Sequence, residues 1–220
     1  MKDIAQYKTW FFDCDGVLLD SNSLKSQGFY DVAVSFGAKQ AQMLRDYHCQ
    51  YGGISRYEKM RYFITDILKK DFDEQTHKKL VDAYGDYCFD KLKQSDETPS
   101  LLPMLEFASS VGNCYVVSGG KQDELRDIFA YKDLDKYFRG IYGSPDSKMD
   151  ILAALIGNGE DGLPAVYVGD SRYDYIVAEE YGFDFIFMTQ FTEFVDWQDF
   201  FADKDVKVIN NFSNLLCNRS

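Results

Sequence analysis

No stretch of this chain comes near the roughly 20 consecutive apolar residues that a membrane-spanning helix needs. Its start, Met1-Lys2-Asp3-Ile4-Ala5-Gln6, lacks the apolar segment of a secretory leader. The five cysteines (Cys14, Cys49, Cys88, Cys114 and Cys217) are odd in number and scattered, with no Cys-x-x-Cys pair. That spacing excludes a zinc finger and fits reduced thiols rather than a disulfide framework. Basic residues are outnumbered, 24 Lys+Arg against 36 Asp+Glu, giving a formal charge of −12. Such a balance argues against nucleic-acid binding, which requires a basic surface to neutralise phosphates. No internal repeat or low-complexity tract is present. The expectation is a soluble, cytoplasmic protein that is neither a nucleic-acid nor a membrane binder.

Proline is also scarce, and none of the four falls between Asn22 and Glu97. That segment reads as helical. Ser23–Phe36 and Gln40–Tyr51 are candidate helices, Gly52-Gly53 breaks the run, and Ser55-Arg56-Tyr57-Glu58 has the capping-box pattern that opens a helix to about Ile67. A further helix is expected from about Asp73 to Lys93. Beyond Pro99, helical stretches alternate with short β-rich runs at Cys114–Ser118, Ala165–Gly169, Asp184–Met188 and Lys207–Ile209, and a first strand is expected near Lys8–Phe12. This rhythm predicts a parallel sheet with helices on both faces, whose ligands sit beyond the carboxyl ends of the strands. At 220 residues, with 18 Phe and 16 Tyr, the chain can build a sizeable core without staples.

Four segments carry chemistry. The apolar run Trp10-Phe11-Phe12 ends in Asp13-Cys14-Asp15-Gly16. Strand alternation sends the two carboxylates to one side, where they repel unless a cation or a shared proton intervenes. The same residues also favour a plain turn. Tyr115-Val116-Val117 leads into Ser118-Gly119-Gly120, which reads either as a capped strand-to-helix turn or as a hydroxyl with free N–H groups suited to phosphate. Lys148 follows a turn-rich stretch and opens an amphipathic helix. There it opposes the helix dipole, which makes sense if an anion is bound nearby. Val166-Tyr167-Val168-Gly169 ends in Asp170-Ser171, with Asp174 one helical turn on.

Together, in this order and each at a strand or helix end, the segments resemble the motifs of the haloacid dehalogenase-like (HAD) hydrolase superfamily. "DCDGV" looks like its first motif, "VVSGG" its second, Lys148 its third and "GDSRYD" its fourth. "YFRGIYGSPDSKMDIL" is similar to the third-motif stretch of the phosphoglycolate-phosphatase-like and β-phosphoglucomutase-like branch, and the likeness runs from Trp10 to about Met188. The resemblance implies an α/β fold: a three-layer, Rossmann-like parallel sheet core (residues 1–21 and 97–220) with an inserted all-helical cap of the C1 type (residues 22–96) that sets substrate specificity. It also implies magnesium (Mg2+) held by Asp13, the Asp15 backbone carbonyl and Asp170, with Asp174 in support. Asp13 is then the nucleophile that forms an aspartyl-phosphate, and Asp15 the general acid/base. Ser118 and the Gly119 N–H bind phosphoryl oxygens, and Lys148 bridges nucleophile and phosphate.

The expected activity is magnesium-dependent hydrolysis of a small phosphorylated metabolite, possible phosphosugars included. The alternatives are a phosphosugar mutase and, further off, a catalytically silent binding protein. Asp15 speaks against dehalogenation, because halide departure needs no acid and the dehalogenase branch lacks this aspartate. Phosphonate cleavage would need a cap lysine able to form a Schiff base. The insert has lysines, Lys25 and Lys59 among them, but nothing in the sequence marks one as desolvated. Substrate choice is expected near "GGISRYEK", Gly52–Lys59. Arg56 there is either a solvated arginine of a first helical turn or a fork for a second anionic group.

Overall fold

The structure is a computed structural model that describes residues 2–160 and 162–217. Strand β1 (Thr9–Phe12) is buried on both faces and lies at the centre of a six-stranded sheet of order β3-β2-β1-β4-β5-β6. The other strands are β2 (Asn113–Lys121), β3 (Gly140–Ser144), β4 (Ala165–Gly169), β5 (Asp184–Met188) and β6 (Lys207–Ile209). All neighbours pair in parallel. Strand alternation divides the aromatics between two cores. Trp10 and Phe12 face the layer of α5 (Leu101–Val111), α6 (Gln122–Tyr131) and α10 (Ser213–Leu216). Phe11, Tyr115 and Tyr167 face α7 (Lys148–Gly157), α8 (Arg172–Glu180) and α9 (Trp197–Phe201). The three-layer α/β architecture is the expected one.

Two details differ from the sequence reading. The turn-rich stretch before Lys148 contains a strand, β3. Its glycines disguised it, yet they serve the sheet edge: a Cβ on Gly143 would lie 2.3 Å from the Gly120 carbonyl oxygen, so only glycine lets β3 approach β2 there. Strand β2 also runs through Ser118-Gly119-Gly120 to Lys121, past a register shift, and α6 begins only at Gln122. Ser118 is therefore a strand residue and not a helix cap.

The segment between β1 and α5 folds into α1 (Asn22–Ala33), α2 (Ala38–Gln50), α3 (Arg56–Tyr62, running on as a π-helical turn, Phe63–Ile67) and α4 (Glu74–Gln94). Ser55 caps α3 by accepting from the Glu58 N–H (3.3 Å), and Asp73 caps α4 by accepting from the Thr76 N–H (2.8 Å). These helices share an apolar interior that includes Phe29, Leu44, Met60 and Tyr84. The chain leaves and re-enters the core side by side: the Asp20 N–H donates to the Asp96 carbonyl (2.9 Å) and the Thr98 N–H to the Leu18 carbonyl (3.1 Å). No helix among the described residues is long and apolar enough to cross a membrane.

Candidate active site

The order of strands places a topological switch between β1 and β4, where connections diverge to either side and leave a crevice at the carboxyl ends. Asp13 sits there. It follows β1, extends the pairing by donating its N–H to the Val168 carbonyl (2.9 Å), and is 3% exposed. Asp170 follows β4 directly across from it. Between them Gly16 turns the chain at φ +73°. A Cβ on Gly16 would lie 2.3 Å from both Asp170 Oδ2 and Asn22 Nδ2, so this position requires glycine twice over.

Lys148 opens α7, whose capping box is made by Ser147 and Asp150. Its ammonium is 2.5 Å from Asp174 Oδ1 and 2.9 Å from Asp13 Oδ1. This fully buried Asp13 oxygen is ion-paired with the ammonium but lacks a well-formed hydrogen bond. Asp174 turns its other oxygen to the Ser171 hydroxyl (2.7 Å) and N–H (3.1 Å), closing the capping box of α8. One carboxylate oxygen from each of Asp13, Asp170 and Asp174 lies within 4.8 Å of the other two.

The cluster is short of positive charge, and its proton affinities show it. Burial pushes Asp13 up to about 7; Lys148 opposes this, while Asp174 and Asp15 add to it. Burial, then Asp13 and Asp174, push Asp170 well above the usual carboxylate range. Burial works against the Lys148 ammonium, but Asp13 and Asp174 outweigh it and hold its pKa well above normal. Three buried carboxylates around one ammonium, with one oxygen lacking a well-formed hydrogen bond, fit an added hard cation, and the candidate ligand atoms are all oxygen.

Asp15 is treated differently. Its Oδ2 accepts from Lys25 Nζ (2.5 Å) and its Oδ1 from the Ser21 hydroxyl (2.6 Å). Burial alone would raise its pKa, but the Lys25 charge and these bonds keep it below the usual value. Burial thus prevails at Asp13, whereas at Asp15, two residues on, the Lys25 charge and the hydrogen bonds outweigh it.

The crevice is roofed by the helical segment. A cavity of about 50 Å³ lies between them, lined by Asp13, Asp15 and Asp170 from below and Lys25, His48 and Lys59 from above. Gly119 and Gly120 line it too, while Ser118, fully buried, accepts from the Gly120 N–H (3.1 Å) behind them. The roof is close: a Cβ on Gly119 would lie 2.4 Å from the Gly53 carbonyl oxygen. Arg56 is not solvated. It is 5% exposed, stands 5.0 Å from the Tyr84 ring centroid, and turns both outer nitrogens to Glu124 of α6 (3.1 and 2.5 Å).

Sequence reading brought Asp13, Asp15, Lys148, Asp170 and Asp174 to one place. It did not find Asn22, whose amide donates to Asp170 Oδ2 (2.6 Å), or Ser21 and Lys25, which hold Asp15. A signal existed: Ser21, Asn22 and Lys25 fall within the first turn after the chain leaves the motif, so they face back toward it.

A model of the haloacid dehalogenase-like hydrolases matches residues 10–188. The chain belongs to this family. The haloacid dehalogenase-like hydrolase fold is shared with several solved structures. A predicted phosphatase from Clostridium acetobutylicum is 22% identical, with 97% of each chain covered and a TM-score of 0.74. A predicted phosphoglycolate phosphatase from Haemophilus somnus is 18% identical, with 98% of this chain and 99% of that one covered and a TM-score of 0.72. A β-phosphoglucomutase from Clostridium difficile is 15% identical, with 95% and 93% covered and a TM-score of 0.73. At these identities the likeness is one of fold. No curated protein matches the sequence.

Proposed function

We propose that this haloacid dehalogenase-like hydrolase is a magnesium-dependent phosphatase of small phosphorylated metabolites, working through a phosphoryl group carried on Asp13. The observation that carries the reading is the pairing of Asp13 and Asp15 at the switch point: one carboxylate beside Lys148 and Asp170, the other two residues on and held ionised by Lys25. Asp13, the Asp15 backbone carbonyl and Asp170 would hold the magnesium ion, with Asp174 supporting, and the ion would supply the positive charge that lets an anionic nucleophile approach a phosphate.

The chain's own groups divide the remaining work. An Asp13 oxygen attacks phosphorus as the ester oxygen leaves. Lys148 offsets the charge that gathers on nucleophile and phosphoryl oxygens. Gly119, lining the cavity, offers its backbone N–H to the phosphate, and Ser118 fixes the course of the chain behind it by accepting from the Gly120 N–H. The Lys25 ammonium donates to Asp15 Oδ2 across 2.5 Å, so the protons of the pair rest on Lys25. A Lys25 proton can pass through Asp15 to the departing alkoxide, leaving Lys25 neutral, and a proton from the water that attacks the aspartyl-phosphate then returns through Asp15 to Lys25. The helical segment, residues 22–96, acts as the cap: it excludes bulk water and recognises the rest of the substrate. A screen of phosphorylated metabolites with and without magnesium tests this. Turnover that persists after thorough chelation, or no turnover of any ester, sinks the reading.

A further inference from the structure

The helical segment presents three buried cations to the cavity, Lys25, Arg56 and Lys59. Two are matched: Lys25 by Asp15 and Arg56 by Glu124, each at 2.5 Å. Lys59 is 1% exposed, and no carboxylate among the described residues lies within ion-pair distance of it. Its Nζ meets His48 Nδ1 at 2.7 Å and lies 5.6 Å from the Phe29 ring centroid. Burial, with the charge of Lys59 next, holds the His48 pKa well below normal, so the imidazole stays neutral and its Nδ1 can accept from the ammonium.

A buried lysine with only neutral partners is costly, and a methionine would fill the same volume without the desolvation penalty. Structural packing therefore does not account for it; a ligand that brings the missing negative charge does. The charged and titratable groups bearing on Lys59 are Lys25 from α1, Cys49 and His48 from α2, and Asp15 and Lys148 from the core. Burial, followed by Lys25, pulls its ammonium down to about 7. An arriving anion would restore the charged form.

We propose that Lys59, oriented by His48, receives a carboxylate borne on the alcohol part of the substrate, so that the enzyme selects small phosphorylated acids over neutral phosphate esters. This rests on the phosphatase reading above. A single negative charge suits the site better than a second phosphate, because Arg56 and Lys25 are already spent on Glu124 and Asp15 and leave one cation unmatched. The cavity also favours a short molecule: about 50 Å³ is small beside the roughly 300–1,000 Å³ of sites for larger ligands. Lys59 and Asp13 line the same cavity, so one small substrate can reach both.

The test compares phosphoglycolate with ethyl phosphate, which share two carbons and a phosphate and differ in the carboxylate, using the full chain with magnesium. The wild type is expected to prefer phosphoglycolate. Lys59→Met should lower kcat/KM for phosphoglycolate about 10- to 100-fold, mainly through KM, and leave ethyl phosphate within about threefold. Melting of the variant checks that it folds, and the wild-type preference is a readout that needs no variant. Absence of that preference overturns the proposal, as does an equal loss on both esters in a folded Lys59→Met. Trapping of a Lys59 adduct with a carbonyl compound by borohydride would also overturn it, since that assigns Lys59 to imine chemistry. No turnover of either ester, nor of any other ester, removes the phosphatase reading itself.

Discussion

Arg56 of the helical segment and Glu124 of the core are joined by two contacts, at 3.1 and 2.5 Å, with the arginine 5% exposed. The pair crosses the boundary between the roof of the cavity and its floor. It turns a residue that sequence offers for substrate recognition into a tie between two layers of the molecule. Arg56→Ala should then cost stability, by about 2–4 kcal/mol, because it strands a partly buried carboxylate. Urea unfolding measures this; a change below about 0.5 kcal/mol would show the tie to be idle.

Asp13 is expected to be indispensable to turnover and dispensable to folding. Asp13→Asn keeps the size of the side chain and relieves a buried negative charge in a crowded acidic cluster. Activity should fall about a thousandfold or more while the melting temperature stays level or rises. Near-normal hydrolysis by the Asn variant would falsify the role given to Asp13.

Stability should depend on pH in a direction that the acidic cluster sets. Asp13 is raised to about 7 in the folded protein, against an unfolded value near 4. Between those values the folded state holds a proton that the unfolded chain has released, so this contribution is full below about pH 4 and lost as pH climbs through 7. Asp170, raised by burial and by its acidic neighbours, acts in the same sense. Asp15 is lowered, so its contribution is lost only at more acidic pH and does not mask the trend. In chelator the melting temperature should fall from pH 5 to pH 8. Magnesium should raise it more at pH 8 than at pH 5, and Asp13→Asn should flatten the slope. A chelated protein equally stable at both pH values would contradict the charge balance described for the cluster.

Gly119 offers a steric test of the roof. An alanine methyl would sit 2.4 Å from the Gly53 carbonyl oxygen, a backbone atom that cannot rotate away. Gly119→Ala should push the Gly52–Gly53 loop off the crevice, lower turnover at least about tenfold and cost about 1–3 kcal/mol. Unchanged kinetics would mean that the close approach has no part in the reaction.

Much of this was legible in the chain itself. The strand-ending aspartates, Lys148 at a helix start and the Asp170–Asp174 spacing are local patterns, because strand and helix periodicities fix where neighbours in sequence point. Sequence therefore determined the layered α/β fold, the helical segment and the acidic cluster. It did not determine partners distant along the chain. Strand β3 was hidden because glycines that permit close strand contact read as turn residues. Arg56 could be assigned only once α6 brought Glu124 beneath it. Lys25 and Lys59 are two ordinary lysines in sequence; burial separates them, since α1 lays one against Asp15 while α2 and α3 enclose the other with His48. Whether a charge is matched depends on which groups packing brings within a few ångströms, and that was decided by the tertiary structure alone.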